Sequence, residues 1–132
     1  MKRFIFAIIT AGVFMNLSEF IRNELLIKNI WTDGFKGLGL VFPNEPINGA
    51  IWGLWTFIFV TILVWLTTKV SIFQSTIIAW FLGFVLLWLG MWNMGILPEG
   101  LLVWAIPWSF IEVFVAAYLG NWILIRKPYA SV

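Results

Sequence analysis

Cysteine and histidine are both missing from this chain. Without cysteine there is no disulfide, no thiol nucleophile and no thiolate ligand. Without histidine the usual zinc and haem ligand is gone as well, although methionine can still ligate. Proton chemistry near neutral pH therefore falls to carboxylates in an unusual environment. Charge is also scarce. Asp, Glu, Lys and Arg make up 11% of the 132 residues, and six acidic and eight basic side chains leave a formal charge of +2. The basic residues are spread along the chain, which excludes the electrostatic footprint of a nucleic-acid binder. No glycine-rich phosphate loop, HExxH, GxSxG or acidic metal cluster occurs, so neither cofactor nor metal site is expected.

What fills the chain is hydrocarbon. Hydrophobic residues reach 62%, with 13 Phe and 10 Trp, and the mean hydropathy is +0.99. Such a chain has lipid as its main solvent. Apolar stretches over about 4–27, 47–68, 72–97 and 101–125 are each long enough to cross a hydrocarbon core of about 30 Å at 1.5 Å per residue. The expected fold class is an all-α membrane protein, with residues 1–132 as a single domain of four transmembrane helices in an antiparallel bundle. Met1, Lys2 and Arg3 followed by FIFAIITAGVFMNL look like a signal peptide, but no A-x-A site follows, and a retained first helix is expected. Lys69-Val70-Ser71 and Pro98-Glu99-Gly100 are short enough to enforce hairpins.

Residues 29–46 form the one long connection. Gly34, Gly37, Gly39, Pro43 and Pro46 are expected to break any helix there, giving an external loop. Its apolar Phe35, Leu38, Leu40, Val41 and Phe42 should bring it back over the bundle mouth or into the interface. Lys2, Arg3, Lys69, Arg126 and Lys127 would share one side without any acid, while Arg22, Lys28 and Lys36 mix with Glu24, Asp33, Glu45 and Glu99 on the other. The positive-inside rule then puts both termini in the cytoplasm (N-in/C-in), with the bacterial cytoplasmic (inner) membrane as the expected location.

Within this apolar frame a few polar side chains stand out. Glu112 lies near the middle of 101–125, about 16 Å below Leu101 at 1.5 Å per residue. A carboxylate at that depth is costly and should face protein or water. Ala105, Trp108, Ser109, Ala116 and Gly120 share its face, and Pro107 frees the carbonyl of Val103 one turn above. In the first helix Gly12, Asn16, Glu19 and Asn23 fall on one stripe. Asn48 begins the second helix and Asn93 lies near the end of the third. Together these suggest an outward-facing, tryptophan-lined pocket walled by Trp52, Trp55, Trp92, Trp104 and Trp108. Its candidate ligand- or proton-binding groups are Glu112, Glu19, Asn16, Asn48, Trp52, Asn93, Trp108 and Ser109.

Each of these also has a plainer role. Glu19 could mark the headgroup level and pair with Arg22 at i+3. The asparagines could be interhelical hydrogen bonds worth about 0.6 kcal/mol each. The tryptophans could be belt anchors, and Glu112 a protonated structural group.

The expected function is a small transporter-like or ligand-binding membrane protein in which Glu112 exchanges a proton or pairs with a cationic group. A membrane enzyme acting on a lipid-like or isoprenoid-like substrate is the alternative. It requires a laterally open groove and both glutamates within reach of one molecule. A third reading is an assembly subunit whose Glu112 meets another chain. No catalytic residue is assigned. The expected partners are membrane lipid, a small-molecule or cationic ligand, and a second copy through the Gly49/Gly53 ridge; nucleic acid is not among them.

Overall fold

Local chemistry sets where each helix starts and stops. The computed structural model describes residues 1–125, and their helices are α1 (Lys2–Leu26), α2 (Lys28–Gly37), α3 (Pro46–Leu66), α4 (Ile72–Asn93) and α5 (Leu101–Ile125). Pro46 takes the first helical position of α3, where its missing N–H costs nothing and its fixed φ suits the helix. Ser71 and Gln74 form a reciprocal capping box at the start of α4. At the end of α4, Gly95 adopts a φ of +69°. The N–H of Ile96 then bonds to Met91 and that of Gly95 to Trp92, both at 3.0 Å. This left-handed cap stops the helix at Asn93, although the apolar sequence continues to Leu97.

Where a loop was expected over 29–46, the chain instead forms α2 up to Gly37. Gly34 does not break it. A Cβ there would lie 2.8 Å from the Pro98 ring, so this glycine lets α2 approach the α4–α5 turn. Trp31 Nε1 donates to Asn23 Oδ1 over 3.1 Å, and Trp31 and Phe35 pack on Phe42 with ring centroids 6.1 and 5.3 Å apart. The break comes at Gly39, with a φ of +72°, which caps α2 as Gly95 caps α4.

Four of the helices, α1, α3, α4 and α5, are long and apolar enough to cross a membrane. Their outward positions, among them Leu17, Ile58, Leu82 and Ile111, are exposed hydrocarbon, as a lipid solvent requires. Inside, α1 packs chiefly on α5 and α3, and α5 on α4. Small residues permit that approach: Ala7, Ala11 and Gly12 of α1 and Ala105, Ala116, Ala117 and Gly120 of α5 are all buried. Met15, Val60, Leu63, Val64 and Val113 fill the space between. Arg126 and Lys127, counted above among the basic residues of one side, lie outside the described residues.

Two turns depart from α-helical winding. Ile21–Leu26 at the end of α1 and Phe81–Val85 within α4 have i→i+5 geometry. Wide turns of this kind re-aim the side chains around them and are frequent at functional sites. Here one carries Arg22 and the other Phe84, and the two side chains meet.

Candidate functional site

The buried face of α1 runs through Ala7, Ala11, Met15, Glu19 and Arg22, at the spacing of three and four that keeps residues on one side of a helix. Its last two members are charged. The wide turn begins at Ile21 and directs Arg22 into the bundle, where the residue is 6% exposed. Sequence offers Arg22 only as a basic residue of the outer side and as a possible i+3 partner of Glu19 at the headgroup level. Across from it, α5 presents Glu112, 1% exposed.

Arg22 lies between two carboxylates. Its Nη1 is 2.9 Å from Glu112 Oε1, and its Nη2 is 3.7 Å from Glu19 Oε1. The shorter contact is an ion pair without hydrogen-bond alignment: Arg22 Nε and Nη1 and Glu112 Oε1 are buried with no aligned hydrogen bond among the described residues. The other carboxylate oxygens are engaged. Ser18 Oγ donates to Glu112 Oε2 over 2.8 Å, and Thr56 Oγ1 lies 3.0 Å from both Glu19 Oε2 and the Trp52 carbonyl. Trp108 Nε1 in turn donates to Ser18 Oγ over 3.0 Å. The guanidinium carbon sits 5.4 Å above the Phe84 ring, a cation–π contact supplied by the wide turn of α4. Behind Phe84, Trp55 stacks on Phe59 at 5.2 Å, and Gly83 leaves room for the Phe59 ring.

No protein-family model, curated protein or solved structure matches this chain. Its chemistry must be read from its own geometry. With both glutamates ionised the cluster carries one excess negative charge. Stranding a net charge in so apolar a surrounding is costly, and one proton or one monovalent cation restores balance.

The other residues singled out by sequence divide sharply. Ser109 is fully buried but belongs to a separate bond: it accepts from Trp80 Nε1 over 2.9 Å and donates to the Ile106 carbonyl. Asn16, one turn before Glu19, spends its amide on the Gly12 carbonyl of its own helix at 3.0 Å. Asn48 is half-buried at the start of α3, and Asn93 is exposed at the end of α4. Of the tryptophans expected to wall a pocket, Trp108 lines a cavity, whereas Trp52, Trp92 and Trp104 are 53%, 68% and 58% exposed. Those three lie on outward helix faces, away from the small residues that bring the helices together.

Two cavities stand out among the described residues. One, of about 400 Å³, lies between the middles of α1 and α5 and touches Ser18, Trp108 and Glu112. The other, of about 600 Å³, lies between α2 and the α4–α5 turn and is lined in part by Asp33, Leu38, Leu97 and Glu99. The charged cluster adjoins only the first. No three His, Cys, Asp or Glu side chains among the described residues converge as a metal site.

Proposed function

We propose that this is a small integral membrane protein of transporter-like or ligand-binding type, with the Glu19–Arg22–Glu112 cluster as its switch. The observation that carries the reading is Arg22 shared between two buried carboxylates, 2.9 Å from one and 3.7 Å from the other. Placing a proton on Glu112 removes the charge that holds Arg22 there and lets the guanidinium close on Glu19, one turn away on the same helix. Ligand binding at Glu112 and the proton state of the cluster are thereby coupled. In this reading α1, α3, α4 and α5 cross the bacterial cytoplasmic membrane as an antiparallel bundle, with both termini inside.

The cavity beside the cluster favours binding over the enzyme alternative. Glu112 lines that cavity but Glu19 does not, since it is turned toward Thr56 of α3. A paired carboxylate mechanism needs both at one molecule.

The test is proton bookkeeping on the purified protein in lipid nanodiscs. Infrared difference spectra across a pH titration should show one carboxyl per chain gaining and losing its proton. That band should vanish in Glu112→Gln. A band unchanged in the variant would remove Glu112 from the switch.

A further inference from the structure

Arg22 has two partners, and each suits a different winding of the chain. Glu19 lies three residues back on α1, a spacing that a regular helix brings side by side, yet Nη2 stands off from it at 3.7 Å. Glu112 belongs to another helix and is met at 2.9 Å, from the wide turn Ile21–Leu26 with its i→i+5 geometry. Such turns are rare. The contacts that hold this one are the Glu112 carboxylate and the Phe84 ring, 5.4 Å from the guanidinium carbon. Toward the cluster α3 presents Thr56 and α4 presents Phe84, neither of them titratable, so Glu19, Arg22 and Glu112 are the charged groups that face one another there among the described residues.

The same turn carries α2. Asn23, next to Arg22, accepts from Trp31 Nε1 over 3.1 Å, and Glu24 pairs with Lys28 at 2.6 Å. Ile27 alone joins the turn to α2. With a φ of −119° and a ψ of 14° it leaves helical winding, and at 2% exposed it is a buried pivot. Phe42 and Asn44 of the following connection go with α2, through the ring contacts of Trp31 and Phe35 and through Lys28 Nζ, 3.4 Å from Asn44 Oδ1. On its other side α2 is held lightly. It has no buried residue, and the cavity of about 600 Å³ separates it from the α4–α5 turn except where Gly34 meets Pro98. Among the described residues its side-chain hydrogen bonds to other segments run to Glu24, Asn23 and Asn44, and none crosses that cavity.

We infer that α2 is a lid over the α4–α5 turn whose position is set by the partner that Arg22 chooses. With Arg22 on Glu112 the end of α1 is wound wide and α2 stands over the cavity. With Glu112 neutral, Arg22 closes on Glu19, the turn takes α winding, and α2 swings about Ile27. This rests on the reading of the cluster as a proton switch and names the element that the switch moves. Closing i→i+4 bonds in place of i→i+5 shifts whatever follows by one residue in register, about 100° around the axis at 3.6 residues per turn. A short helix that turns as a body about one residue at its end is a hinge.

The chain has no cysteine, so two introduced thiols can carry the only spin labels. Lys36→Cys on α2 and Glu99→Cys in the α4–α5 turn fall at exposed residues. The distance between the labels is measured by pulsed electron resonance on the full chain in lipid nanodiscs. Glu112→Gln, which fixes the neutral state, should shift that distance by about 5 Å or more, the scale of one helical turn. Phe84→Leu, which removes the ring beneath Arg22 and keeps every charge, should shift it in the same direction. A second pair, Leu89→Cys on α4 and Val103→Cys on α5, both at exposed positions, should keep its distance throughout. Trp31→Phe, which keeps an aromatic ring and removes the N–H given to Asn23, should broaden the α2 distribution and cancel the shift. An α2 distance unchanged by both Glu112→Gln and Phe84→Leu, equal shifts in the two label pairs, or a shift undiminished by Trp31→Phe would overturn the inference. Infrared spectra of the same samples separate the two readings. A Glu112 band that titrates while α2 stays still defeats the lid alone, and a lid that moves in Glu112→Gln without a titrating band in the parent protein defeats the proton switch alone.

Discussion

Removing Arg22 would leave Glu19 and Glu112 buried without a counter-charge. A buried pair adds little net stability when intact, because desolvation offsets the attraction, but breaking one from a single side is expensive. Arg22→Met should therefore destabilise the protein by about 3–5 kcal/mol, read as reversible unfolding in detergent. Adding Glu112→Gln to that variant should recover part of the loss, because the charge left stranded is gone. A double variant as unstable as the sum of the singles would show the two residues to be uncoupled. At this scale the two glutamates are legible in the sequence, since a carboxylate inside an apolar run is conspicuous wherever it points. Arg22 is not. Three residues after Glu19, it reads as an ordinary partner at the headgroups, and what buries it is a wide helical turn together with a glutamate far along the chain. Ser18 is hidden for a similar reason. A lone serine in a helix carries no mark of the indole and carboxylate that meet on its oxygen.

Glycine decides much at the scale of elements, and in opposite ways. Gly95 and Gly39 end helices through positive φ, whereas Gly34 and Gly83 sit inside helices to let another element come close. A Cβ on Gly83 would lie 2.5 Å from Phe59 Cε2, against a ring already held between Trp55 and Phe84. Gly83→Ala should thus cost about 1–3 kcal/mol by overpacking, and loosen the aromatic support beneath Arg22. Gly90, in the same helix, has nothing within 4 Å of its would-be Cβ. Gly90→Ala should be neutral or stabilise by up to about 1 kcal/mol through helix propensity. Equal effects at the two positions in thermal unfolding would refute the packing argument. The same contrast explains how far the helices could be read in advance. Span α5 is visible in the sequence as the long apolar run that follows Pro98-Glu99-Gly100, and it stays helical through Pro107 and Glu112. The end of α4 and the existence of α2 are not visible in this way, because the atoms that separate a helix-ending glycine from a packing glycine belong to the glycine's own φ or to a distant Pro98 or Phe59.

For the whole molecule, the asymmetry of charge and the position of α2 make one joint demand. Lys2, Arg3 and Lys69 have no acidic neighbour in sequence, whereas Asp33, Glu45 and Glu99 belong to α2 and to the segments flanking α3 and α5. Under the proposed orientation the first group faces the cytoplasm and α2 lies outside, amphipathic and short, with Lys28, Asp33 and Lys36 toward water and Trp31 toward the bundle. Because the chain has no cysteine, a single introduced thiol reports on its own position without background. Asn44→Cys and Thr68→Cys both fall at exposed residues in connections between helices. A membrane-impermeant maleimide should label the first in intact spheroplasts and the second only after permeabilisation. Labelling of Thr68→Cys alone in intact spheroplasts would invert the topology, and labelling of both would deny that α3 crosses the membrane. Either result would leave the Arg22–Glu112 pair in place but change which compartment supplies its proton, so the direction of any coupling follows from this measurement and not from the cluster.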